Sequence, residues 1–266
     1  MYRREGAQIT RVRVRNVKNP KTDAQSFQRA IMAPIAKFYS PLSVVLERSF
    51  EGFSKAKSHN RFNQVNANLA RKNKWALPKG TGFFPLPYQL SQGTIPSVPC
   101  EFNTEATALA FGIEVASEGK ATIGNLSQSL VNAGYKKGDV VTIIVVKDNG
   151  NGANYVPDSI QFAIDTASTD ALTTLYKGGY QVVLNADNGF IVTENSDKIV
   201  AGAVIVSRFD GNMWRRSTQV LNVKPDIITK VTADAAVAAA IASYGQTAGD
   251  GNPLVYLDGD ELTDGQ

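Results

Sequence analysis

Apolar positions recur with helical spacing through the first third of the chain. Phe27, Ile31, Ile35 and Phe38 follow one another at intervals of four, four and three residues, one stripe of an amphipathic helix. Thr22 and Gln25 have the spacing of a capping box at its start. Pro34 falls inside the stripe, where a missing N–H predicts a kink or a break. Ser40-Pro41 has the form of a second start, serine as N-cap and proline at the first helical position. Leu42, Val45, Leu46, Phe50 and Phe53 make the stripe of that second helix. A third is expected over 58–72, with Phe62, Val65 and Leu69 inward. It carries Asn60, Asn63, Asn66 and Asn68, with Asn73 just beyond. Asparagine is a poor helix former because its amide competes for backbone bonds. Two readings remain open for this run: amide contacts to another backbone or subunit, or a polar solvent face.

Pro78, Pro85, Pro87, Pro96 and Pro99 then exclude both a helix and a central strand over 77–99. Phe83, Phe84 and Tyr88 would pin this extended connector, and a domain boundary is placed after it. From 100 to about 223 the period changes to that of strands. One is expected at 106–116 and one at 139–147, apolar on both faces and therefore central. A third alternates cleanly at 159–166. Gly150-Asn151-Gly152 reads as a hairpin loop. Two more hairpins join 180–185 to 189–193 and, through Asp210-Gly211-Asn212, 200–209 to 213–221. A short helix at 126–133 has Asn125 as its cap and Gly134 as its stop. The expected fold class is α+β: an N-terminal helical segment plus an antiparallel β-sandwich or small barrel. It divides into 1–99, 100–230 and 231–266, the last comprising an Ala-rich helix at 234–243, a hinge at 245–252, a short strand at 253–257 and an acidic tail.

Charge changes this picture. The net +4 hides an asymmetry: residues 1–80 hold 17 Lys and Arg against 4 Asp and Glu, and residues 81–266 hold 11 against 20. Arg11, Arg13 and Arg15 alternate with Val12 and Val14, an extended arm with one basic and one apolar face. It suits an edge strand or an arm laid on a neighbour. Residues 231–266 contain six acidic residues, among them Asp258, Asp260 and Glu261, and no Lys or Arg. Basic front and acidic back can join copies head to tail, and the expectation is that they meet across an interface. The front alone could also hold nucleic acid, or both ends could be solvated and the separation incidental.

Candidate chemistry is thin. His59 and Cys100 are single, so a multi-cysteine zinc site or an intramolecular disulfide cannot be built. No P-loop and no Gly-x-Gly-x-x-Gly opens a helix. Asp258-Gly-Asp260-Glu261 and Asp148-Asn149-Gly150-Asn151 lack the ligand spacing of a calcium loop. Met213-Trp214-Arg215-Arg216 could stack and hold phosphate, or Trp214 could fill a core or an interface. No run of about 18 apolar residues is present for a membrane span, and no apolar stretch of a signal peptide follows the basic start. These residues point away from an enzyme, with no cofactor.

Lys21-Thr-Asp-Ala-Gln25 with Gln28-Arg29, Lys37-Phe38-Tyr39-Ser40-Pro41-Leu42, and Phe62-Asn63 through Asn68-Leu69 resemble runs in a largely uncharacterised family of Bacteroidota genomes and their phages. Gly202-Ala203-Val204-Ile205-Val206-Ser207-Arg208, followed by Trp214-Arg215-Arg216-Ser217-Thr218-Gln219, resembles the family's C-terminal hairpin. The tail after Gly245 has no counterpart in it. Some members look like the ring proteins of the tail barrel in crAss-like phages. The resemblance implies a structural virion protein, made in the host cytoplasm. It would be a subunit of a homo-oligomeric ring in a phage tail or neck, twelvefold if it matches a portal. Adjacent rings or portal proteins would be its partners, and DNA would pass through the lumen. The alternatives are a nucleic-acid-binding protein using the basic arm and an Ig-like binding module. Candidate interface residues are Arg11, Arg13, Arg15, Asn63, Asn66, Phe84, Trp214, Asp258, Asp260 and Glu261.

Overall fold

The computed structural model describes residues 2–4, 7–9, 22–103, 108–116, 120–150, 154–187, 189–194 and 199–245. In chain order, a small hairpin of β1 (Tyr2–Arg4) and β2 (Ala7–Ile9) precedes two helices, α1 (Asp23–Leu46) and α2 (Lys55–Lys72). Then come β3 (Gln89–Ser91), β4 (Cys100–Asn103), β5 (Ala108–Phe111), α3 (Ile123–Asn132), β6 (Val140–Asp148) and β7 (Tyr155–Ala163). The remainder is β8 (Tyr176–Lys177), β9 (Tyr180–Asn185), β10 (Gly189–Glu194), β11 (Ile199–Phe209), β12 (Trp214–Arg216), β13 (Gln219–Val220), β14 (Asn222–Val223), α4 (Pro225–Thr232) and α5 (Asp234–Tyr244).

Two five-stranded antiparallel sheets carry the fold. One runs β4-β5-β10-β9-β8; the other runs β12-β11-β6-β7, with β14 also on β11. Strand β6 is buried on both faces, as a central strand should be. Val141, Ile143 and Val145 join Val182, Phe190 and Val192 of the facing sheet in one core. Ile144 and Val146 point the other way, into a second core with Ile31, Ile35, Phe38, Leu42 and Phe62 of the helices. The layers are therefore helices, sheet, sheet, and the protein is α+β with a β-sandwich. The change of composition at residue 99 does not separate cores, because α1 and α2 use β6 and β11 as their floor. Strand β11 serves both layers by alternation, Val204 and Val206 in one core and Ala203 and Ile205 in the other, and it carries a bulge between Ile199 and Ala201. Gly202 follows it, and a Cβ there would meet Leu109 Cδ2 at 2.7 Å and Ile144 O at 3.1 Å.

Several elements differ from the pattern-based expectation. The helix starting at Thr22 does not break at Pro34, nor restart at Ser40-Pro41; α1 continues to Leu46. Proline frees the carbonyl four residues back, and that of Ala30 accepts instead from Leu77 N at 3.1 Å. Phe50 and Phe53 lie beyond the helix: Phe50 is buried beside Gln92, whereas Phe53 is 42% exposed. Thr22 Oγ1 does accept from Gln25 N. Helix α3 begins at Ile123 with Thr122, not Asn125, accepting at its N-terminus. Gly134 ends it as expected, at φ 100° with Tyr135 N bonded to Leu130 O. The strand expected at 106–116 is shorter, and its partner β4 escaped notice among the prolines. Strand β7 starts earlier than expected and tolerates Pro157 because it is an edge. The second arm of the 200–221 hairpin is interrupted: Ser217 Oγ accepts from Val206 N, and the chain then leaves to pair with β3. Helix α4, opened by Pro225, was not anticipated. The expected hinge, strand and tail after 245 lie outside the described residues.

Candidate functional site: a basic and aromatic hairpin face

The turn between β11 and β12 is fixed by its own residues. Asp210 Oδ1 accepts from Asn212 N at 3.1 Å and Met213 N at 2.9 Å, and Gly211 supplies the φ of 92° that the turn requires. These bonds, with Arg215 Nε donating to Asp210 Oδ2 at 2.8 Å, hold the Asp210 carboxyl down to about 2. The other end of the Arg215 guanidinium is bonded to Glu51. Glu51 also accepts from Thr94 N at 2.8 Å. Burial raises the Glu51 carboxyl, but these donors outweigh it and leave it below its ordinary range. The hairpin is thus tied to the segment leaving α1 through one guanidinium.

Two hollows flank the hairpin and share Phe209 and Trp214, whose ring centroids are 5.4 Å apart. The first, about 350 Å³, is lined by Arg48, Phe53, Lys55, Met213 and neighbouring residues. The second, about 320 Å³, is lined by Lys136, Lys137, Asp139, Ser207 and Arg208. Arg208 is committed: its guanidinium grips buried Asp139 with two bonds of 2.6 Å. Lys137 pairs with Asp165 at 3.0 Å. Lys136 has no ion pair among the described residues. On the other side of Trp214, Arg216 lies over the indole at 5.3 Å. Its guanidinium bonds Ser207 Oγ and the Glu47 carbonyl, and among the described residues no carboxylate bonds it, although the Glu47 charge acts on it. Burial, and then the neighbouring Arg48, lower its guanidinium to about 10. Phe209, Phe53 and Met213 are 55%, 42% and 38% exposed, an apolar cluster left in water and rimmed with cations.

The candidate residues inferred from the sequence scatter. Trp214 stands at this face. Asn66 does not: it is wholly buried, and its amide binds the same chain's connector, donating to Gln89 O at 3.1 Å and accepting from Gln89 N at 2.8 Å. The expected amide-to-backbone contact exists at Asn66, but within the chain. Asn63 instead meets His59 Nε2 at 3.1 Å, and Asn73 caps its own helix through Leu69 O. Phe84 packs on Tyr155 at 5.1 Å, beside the helical core. Arg11, Arg13, Arg15, Asp258, Asp260 and Glu261 lie outside the described residues. His59 stacks on Tyr39 at 4.4 Å, and Cys100 is buried, its thiol pushed up by that burial. Among the described residues no group of His, Cys, Asp and Glu could hold a metal ion. No single helix there is long and apolar enough to cross a membrane. What sequence reasoning missed is Phe53 and Phe209, which it placed on an inward stripe and in a strand. The signal was present in Asp210-Gly211-Asn212, which puts Phe209 and Met213 at a hairpin tip. No protein-family model, curated protein or solved structure matches the chain.

Proposed function

We propose that the protein is a structural virion subunit that self-associates into a ring of a phage tail or neck, and that the 209–214 hairpin face is one of its subunit contacts. The observation that carries the contact is the exposed cluster of Phe53, Phe209 and Met213 on a turn held by Asp210 and Arg215. Aromatic residues, methionine and arginine are the residues enriched at protein interfaces, and a pinned turn loses little entropy on docking. The virion role itself is supported by the resemblance of the helical front and the hairpin to a largely uncharacterised family, some members of which look like tail-barrel ring proteins. Its chemistry is association and passage of DNA, with no reaction and no cofactor. Sedimentation of the full chain over a concentration series tests the reading. Phe209→Asp should shift the population to the monomer while circular dichroism stays unchanged.

One observation favours a second reading, nucleic-acid binding: Lys136 faces a hollow bounded by Phe209 and Trp214, a cation beside stacking surfaces. It predicts that the monomer binds single-stranded DNA with steep salt dependence, and that Trp214→Ala removes that binding.

A further inference from the structure

The larger hollow has a chemical complement elsewhere in this chain. Its apolar surface is Phe53, Phe209 and Met213, and its cations are Arg48 and Lys55, with Arg216 behind Trp214. Glu47, Glu51 and Asp210 lie close by, but each already serves a cation or a turn: Lys55 and Arg48 on Glu47, Arg215 on the other two. Arg48 and Lys55 thus share one carboxylate between two cations. The sequence 254–261 reads Leu-Val-Tyr-Leu-Asp-Gly-Asp-Glu, an apolar tetrad followed at once by three carboxylates. No other stretch of the chain joins those two properties without a single Lys or Arg nearby.

We infer that the hollow receives residues 254–261 of a neighbouring copy, the tetrad against Phe53, Phe209 and Met213 and the carboxylates toward Arg48 and Lys55. This rests on the self-association proposed above and names what the hairpin face binds. Reach argues for a neighbour over the same chain. Tyr244 packs by Ala30 and Ala76, at the far end of α1 from the hollow. A rise of ~1.5 Å per residue puts ~24 Å between Ala30 and Leu46 alone. Residues 245–254 span at most ~33–36 Å when straight. Binding in the same chain would stretch a segment containing Gly245, Gly249 and Gly251 beyond its relaxed span of ~17 Å, at a conformational cost. A tail from another copy has no such limit. Each subunit then offers one hollow and one tail, the head-to-tail contact from which rings close.

The test uses full chains in three forms: wild type, a hollow variant (Phe209→Ser with Met213→Ser), and a tail variant (Tyr256→Ser, Leu257→Ser, Asp258→Asn, Asp260→Asn). Both hollow positions are exposed, so the fold should survive, and circular dichroism checks it. Sedimentation should show the wild type associating and each variant alone needing at least about tenfold more protein to do so. Mixing the variants restores one link, an intact hollow meeting an intact tail, and should give a species of two chains. Raising salt from ~0.15 M to ~1 M shortens the screening length from about 8 to 3 Å and should weaken the wild-type contact. If the wild type associates and either variant does so equally well, the tail-in-hollow contact is wrong while self-association stands. If the mixture stays monomeric although the wild type associates, the pairing is wrong. If the wild type is monomeric throughout, the reading of the function fails with it.

Discussion

Replacing Asn66 by alanine tests how the helical layer is joined to the rest of the molecule. Asn66 sits on α2 with no exposed surface, and its amide pairs with Gln89 as a neighbouring strand would. Its Nδ2 also donates to Phe62 O at 2.9 Å, but that carbonyl belongs to the helix ladder and loses little. The change strands Gln89 N–H and Gln89 C=O. An unsatisfied buried group costs about 1–3 kcal/mol, and because Gln89 is half-buried the lower part of that range applies to each, ~2–3 kcal/mol together. For a body of this size that is a fall of roughly 5–10 °C in melting temperature. Urea unfolding followed by fluorescence is the assay, with the midpoint shifted and the slope unchanged. Asn66→Asp should be worse, since a carboxylate would face the carbonyls of Phe62 and Gln89 with no proton to give. Asn63→Ala, three residues away on the same helix, should stay within about 0.5 kcal/mol of the wild type. An Asn66→Ala midpoint equal to that of Asn63→Ala would refute the reasoning.

Phe50→Ala should cost about 3–5 kcal/mol, because its ring is fully buried in the core shared with the helices and the connector; thermal melts measure it. Gly202→Ala should cost roughly 1–3 kcal/mol by overpacking Leu109, a loss that the further change Leu109→Val should partly restore. The folded-state carboxyl of Asp210 lies near 2, below the ordinary 3.8, so its contribution is complete above 3.8 and is lost as pH falls toward 2. Carbon NMR of that carboxyl should give the low midpoint, and Asp210→Asn should remove this part of the acid limb.

Much of the fold was legible in the residues because periodicity reports burial. The both-faces-apolar run at 139–147 reads as a central strand and falls on β6, and the alternating run at 159–166 overlaps the second half of β7. Pro34 misled for a physical reason: its missing bond is made good by Leu77, from a connector 43 residues away, and no local pattern encodes that. Thr122 displaced Asn125 as the cap because both residues cap well and only the fold chooses between them. Of the site, Trp214 was legible as an aromatic among arginines on a hairpin. Phe53 was not, because it follows Leu46 and Phe50 with helical spacing, and only the end of α1 at Leu46 and the positive φ of Arg48 turn it outward. Asn66 was legible as an unusual helical residue, while its partner, Gln89, lies in a stretch that looked like simple connector.

The central claim is that this chain builds a ring with copies of itself through the hairpin face. Electron microscopy of the purified full-length protein, beside the Phe209→Asp variant, tests it most directly. The account predicts closed rings of one size in the wild type and single particles in the variant. Single particles in both, at every concentration tried, would contradict it.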